Sequence, residues 1–96
     1  MGKDPYLSVA DAISAFLKKY GLQDEADVQM IISEWAHIMG QPIATNTEKI
    51  WYDKGILYIR MSTPIWKHEL QMARSKIRDT VNRKIGRGLI KEVKLV

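Results

Sequence analysis

The chain of 96 residues contains no cysteine. Disulfide scaffolds, Cys-ligated zinc, iron–sulfur clusters and thiol catalysis are therefore excluded, and a reducing, cytoplasmic setting is expected. Histidine is nearly as scarce. His37 and His68 stand apart, and His68-Glu69 lacks the second imidazole a zinc-binding helix needs, so no metal is expected. No apolar run approaches the ~20 residues that span a bilayer. The start, Met1-Gly2-Lys3-Asp4-Pro5, lacks the apolar core of a signal peptide, so no membrane association is expected. Also missing are a Ser/His/Asp arrangement, a phosphate-cradling glycine loop and a clustered pair of catalytic carboxylates. The expectation is a non-enzymatic protein without cofactor or small-molecule substrate.

What is present is a charge imbalance. From Arg60 to Val96 there are ten Lys/Arg against three acids, a net of +7. The first 59 residues hold five basic and eight acidic residues, a net of −3, and the two halves give the whole-chain +4. Such polarity points to an anionic partner, either nucleic acid or an acidic protein face. Hydrophobic residues at 46% and charged residues at 27% are ordinary for a globular chain, which argues against disorder. One domain over residues 1–96 is expected, with 1–7 flexible.

The periodicity predicts an α+β fold of order α-α-β-β-α-β. Ser8 and Asp11 suggest a capping box, after which Val9, Ile13, Phe16, Leu17 and Tyr20 recur at helical spacing until Gly21. A second helix is predicted from Asp24 to Met39, burying Val28, Ile31, Trp35 and Met39 and stopped by Gly40 and Pro42. The connector at 43–47 has room for a short helical turn. The period then becomes two: Lys49–Tyr52 and Ile56–Ser62 read as strands around an Asp53-Lys54-Gly55 turn, with Leu57, Ile59 and Met61 inward. Thr63-Pro64 opens one long helix with a buried stripe of Trp66, Leu70, Ala73, Ile77 and Val81. Gly86-Arg87-Gly88 breaks it, and Leu89–Val96 reads as a last strand, parallel to the second or at the far edge. A three-stranded sheet packed against helices would bury all of these stripes.

Four segments carry a resemblance. Trp35-x-x-Ile38-x-Gly40-x-x-Ile43-Ala44, then Gly55-Ile56-Leu57-Tyr58-Ile59, Ser62-x-x-x-Trp66-x-x-Glu69-Leu70, and Val81-Asn82-x-x-Ile85-Gly86 together resemble the DciA family. The resemblance spans Trp35 to the C-terminus, with the first helix fitting loosely. It implies a KH-like domain that acts with the bacterial replicative DNA helicase as a loader or operator and binds DNA. A KH domain clamps nucleic acid with a Gly-x-x-Gly loop between two helices. Here only Gly86-x-Gly88 occurs, between a helix and a strand, so KH-type clamping is not expected.

On one continuous helix at about 100° per residue, Lys67, Arg74 and Arg78 share a flank, while Lys76 and Arg83 fall opposite. These five, with Lys84, Arg87 and the sheet residues Tyr58 and Arg60, are the candidate nucleic-acid contacts. Acids are few beside Lys67, Arg74 and Arg78, with Glu69 and Asp79 expected nearer the other side. Trp51, Tyr52 and Tyr58 are candidates for base stacking, although aromatics are also common in strands. Asp24, Glu25 and Asp27 read as helix-start chemistry, with an acidic docking patch as the alternative. The first reading is an adaptor binding single-stranded DNA and the replicative helicase. The alternatives are a protein-interaction module for an acidic partner, with no nucleic-acid binding, and an RNA binder.

Overall fold

The computed structural model describes residues 5–96 as α1 (Pro5–Lys19), α2 (Gln23–Ser33), α3 (Trp35–Met39), α4 (Gln41–Thr45), β1 (Thr47–Asp53), β2 (Ile56–Met61), α5 (Pro64–Gln71), α6 (Arg74–Ile85) and β3 (Glu92–Leu95). The expected flexibility of residues 1–7 falls partly outside the described residues, and Pro5, Tyr6 and Leu7 open α1. The sheet order is β1-β2-β3, with β1 and β2 antiparallel and β2 and β3 parallel. The last strand is therefore both the parallel neighbour of β2 and an edge. Among the described residues no helix is long and apolar enough to cross a membrane.

Lys54 and Gly55 both have positive φ, 47° and 85°, as the tight turn between two right-twisted strands demands. The pairing this sets, Tyr52 opposite Leu57 and Ile50 opposite Ile59, sends alternate side chains inward. Leu57, Ile59, Val93 and Leu95 are buried there against Val28, Ile31 and Trp35 from the first helices and Leu70, Ile77 and Val81 from the last two. Thr63 caps α5 as expected, its hydroxyl accepting from the Trp66 N–H at 3.2 Å. The Trp35 indole donates to the Thr47 hydroxyl at 3.1 Å, and that hydroxyl donates to the Ile43 carbonyl at 2.7 Å. One buried side chain thus ties α3, α4 and β1 together.

Three expectations are corrected. The helix foreseen from Asp24 to Met39 breaks at Glu34, where the Met30 carbonyl accepts from both the Ser33 hydroxyl at 2.8 Å and the Glu34 N–H at 3.1 Å. The long helix foreseen after Thr63 is two helices, separated at Met72 and Ala73 without glycine or proline. The two halves pack on different neighbours, α5 on β2 and β3, α6 on β3 and α2, and that demand overrides local propensity. Finally, α1 starts at Pro5, three residues before the expected cap, and its apolar stripe is not covered. Val9, Ile13, Phe16 and Tyr20 are 55–59% exposed, because α1 packs chiefly on α2 before Gly21 closes it in a Schellman turn.

The chain after α6 is held by an unusual clamp. The Asn82 amide donates to the Ile90 carbonyl and accepts from the Ile90 N–H, both at 2.8 Å, as a neighbouring strand would. On the next residues, the Gly55 carbonyl accepts from the Lys91 and Glu92 N–H groups at 2.8 and 3.3 Å. A Cβ on Gly55 would stand 3.1 Å from Lys91 Cγ, so Gly55 serves both the turn and this close approach.

Asn82→Ala strands both polar groups of the buried Ile90 backbone and is expected to cost about 2 kcal/mol in urea denaturation. Leu57→Ala is expected to cost about 3 kcal/mol, whereas Phe16→Ala on the open face of α1 should change stability by less than about 0.5 kcal/mol.

Candidate nucleic-acid interface

The break before α6 decides where its cations point. Ala73 offers no side-chain cap to the start of α6, a helix end that favours negative charge. Arg74, the first helical residue, turns its Nε back onto the Gln71 carbonyl at 3.1 Å, satisfying an acceptor freed by the break. One helical turn on, Arg78 faces the same side. Both line a cleft of about 220 Å³ with Ser75 on one wall and Lys91, Glu92 and Val93 on the other. The cleft runs between α6 and the free edge of the sheet. Its two guanidinium groups and one ammonium outnumber the Glu92 carboxylate and suit a phosphate group, arginine offering paired donors and lysine a point charge.

Lys91 was not a candidate from sequence. It reaches the cleft only because Asn82 and Gly55 fix the backbone at residues 90–92, and no local pattern announces such a clamp. Lys67 lies exposed on α5 and does not line this cleft, since the angular argument joining it to Arg74 and Arg78 assumed an unbroken helix. Asp79, expected on the other side, accepts from Arg78 Nε at 3.0 Å. The pair is exposed, and four guanidinium N–H donors remain.

The other candidates divide. Lys76, Arg83 and Lys84 lie on the opposite side of α6, lining grooves shared with α3 and α4. Lys84 also approaches Glu34 at 3.4 Å. Arg87 is engaged most fully. Its Nη2 donates to Asp24 Oδ1 at 2.7 Å, and Nε and Nη2 donate to Asp27 Oδ2 at 3.1 and 2.6 Å. Those bonds, first to Asp24 and then to Asp27, raise the Arg87 pKa above its ordinary value. Asp24 and Asp27, read from sequence as helix-start residues, thus also hold the loop after α6 against α2.

Tyr58 and Arg60 lie on the face of the sheet turned away from the core. Tyr58 stands opposite Trp51 on one side and Lys94 on the other. The Trp51 and Tyr58 rings stack at 5.2 Å and 7°, and Lys49 and Arg60 approach the Trp51 ring at 5.2 and 5.4 Å. Trp51 therefore has three partners of its own, and the cluster stabilises the hairpin as a cross-strand ladder. Lys49 and Lys94 add positive charge to this face. Strand alternation was the signal that would have found them.

Arg87→Ala removes an exposed ion-pair network and is expected to cost about 1 kcal/mol or less, an effect that shrinks at high salt in denaturant titrations.

The family model described as "Dna[CI] antecedent, DciA" matches residues 8–95. No curated protein and no solved structure matches the chain. The match includes the first helix, which the four sequence segments left out, as well as the Trp35, Gly55 and Asn82 positions whose bonds assemble the fold. The chain belongs to the DciA family, and that membership ties it to the loading of the replicative DNA helicase.

Proposed function

We propose that the protein is a non-enzymatic adaptor that binds single-stranded DNA and the replicative helicase in the cytoplasm and supports placement of the helicase on the strand. Family membership supports the helicase half of this reading. The observation that carries the DNA half is the convergence of Arg74 and Arg78 of α6 with Lys91, just before β3, on one cleft at the sheet edge. Phosphates would sit in that cleft beside the start of α6, with Arg60, Lys49 and Lys94 extending positive charge across the outer face of the sheet.

The junction Gln71-Met72-Ala73-Arg74 has no glycine, unlike the loop with which KH domains clamp a backbone. Side-chain cations therefore take the role that close backbone approach plays there. Contacts of this kind are read as salt dependence. Three neutralised phosphates give a log–log slope of about −2, at roughly −0.7 each on a single strand.

Fluorescence anisotropy with a labelled single-stranded oligonucleotide tests this. From 50 to 200 mM salt the affinity should fall roughly 20-fold by that slope. Arg74→Glu/Lys91→Glu should weaken binding at least tenfold, while Lys67→Glu changes it less than twofold. Salt-insensitive binding, or equal effects of the two variants, would sink the assignment of phosphates to this cleft.

A further inference from the structure

The cations on the far side of α6 border a surface of different character. Between α3–α4 and α6 runs a groove whose walls are Ile38, Met39 and Ile43 on one side and Ala73 and Ile77 on the other, with about 300 Å³ of open volume. Ile38, Met39, Ile43 and Ala73 are only partly buried, so the apolar floor is incompletely covered by the chain itself. Thr80 spends its hydroxyl on the Lys76 carbonyl at 2.8 Å and leaves the floor without an unmatched donor. A second hollow of about 300 Å³, lined by His37, Arg83 and Lys84, shares Ile38 and Thr80 with the first and continues it. From Ala73 to Lys84 the groove runs roughly 16 Å along α6, about three helical turns.

The rim is positive. Lys76, Arg83 and Lys84 border the groove, and no acidic residue lines either hollow. Among the described residues Lys76 and Arg83 form no ion pair, while Lys84 shares its charge with Glu34. We infer that this groove is a docking site for an acidic amphipathic helix of a partner protein, whose apolar anchors lie on the Ile38–Ile43 and Ala73–Ile77 walls and whose carboxylates meet Lys76 and Arg83.

Charge selects this occupant over the two nearest rivals. The exposed face of α1 in a second copy has the right apolar residues, but Lys18 and Lys19 outweigh Asp11 beside it and would repel the rim. A nucleic-acid strand would find aliphatic walls with one imidazole, His37, as the aromatic plane on which a base could stack, since the Trp51–Tyr58 stack lies on the outer face of the sheet. An aliphatic floor three turns long with a charged rim is what a helix presenting anchors at i, i+3/i+4 and i+7 requires. Rim charges then steer and orient the partner, and the apolar anchors hold it.

The inference deepens the adaptor reading and rests on it, because it gives the protein partner a face separate from the DNA cleft. It is tested by measuring affinity for the purified replicative helicase and for single-stranded DNA in parallel, with Lys76→Glu/Arg83→Glu and Arg74→Glu/Arg78→Glu beside the parent chain. The first pair of changes should weaken helicase binding at least tenfold and leave DNA affinity within twofold. The second should do the reverse. Both pairs lie on the surface of α6, and thermal melts confirm that the variants are folded. Helicase binding that survives Lys76→Glu/Arg83→Glu overturns the docking site and leaves the adaptor reading standing. DNA affinity that falls with Lys76→Glu/Arg83→Glu as it does with Arg74→Glu/Arg78→Glu assigns the groove to nucleic acid and also overturns it. A parent chain that binds DNA but no helicase removes the adaptor reading, and the inference with it.

Discussion

The position of three consecutive residues, Ile90, Lys91 and Glu92, governs the functional geometry of this protein. They are gripped from one side by the Asn82 amide and from the other by the Gly55 carbonyl. The grip turns the chain leaving α6 into a strand parallel to β2, at the edge of the sheet. It buries Ile90 almost completely and leaves Lys91 exposed beside Arg74 and Arg78. A four-residue edge strand gains little from its own ladder, so a side-chain amide that completes the hydrogen bonding of the preceding residue has a large effect on where that strand lies. The cleft at the sheet edge is a consequence of this pinning.

The basic half of the molecule does not form one surface. Arg87 is drawn into the fold by Asp24 and Asp27, and Lys84 and Arg78 each have an exposed acidic neighbour. The remaining helix cations separate to the two sides of α6. Arg74 faces a polar cleft with a strand edge, whereas Lys76 and Arg83 border an aliphatic groove with helices on its far wall. Coulomb attraction alone treats these sides alike, because phosphates and carboxylates draw the same residues. What lies between the cations distinguishes them: the Ser75 hydroxyl and the Glu92 carboxylate on one side, partly buried isoleucine and methionine on the other.

Much of the fold was legible in the sequence because its signals are local. The Lys54-Gly55 turn, the Thr63 cap and the inward alternation of Leu57, Ile59 and Met61 each follow from two to six adjacent residues. The helix breaks at Glu34 and Met72–Ala73 were not legible, since no glycine or proline stands at either, and the second follows from packing of α5 and α6 on different parts of the fold. The second of these displaced the candidate site. With the helix unbroken, Lys67 joins Arg74 and Arg78; with the break, Lys91 takes its place. The exposed stripe of α1 was misread for a related reason: periodicity shows that a face is apolar, not that the chain supplies its cover. The residues carrying the family resemblance proved the most instructive, because Trp35 and Asn82 tie neighbouring elements together and Gly55 bonds the distant chain at Lys91 and Glu92.

The central claim is that nucleic acid is held on the side of α6 that faces β3 while the opposite side stays free for protein. Amine-acylation footprinting by mass spectrometry, with and without single-stranded DNA, tests it on the unmodified chain. The account predicts protection of Lys91, with Lys94 following, and unchanged labelling of Lys67 and Lys76. Protection of Lys76 with Lys91 left open would place the strand in the aliphatic groove and contradict the division of the two surfaces.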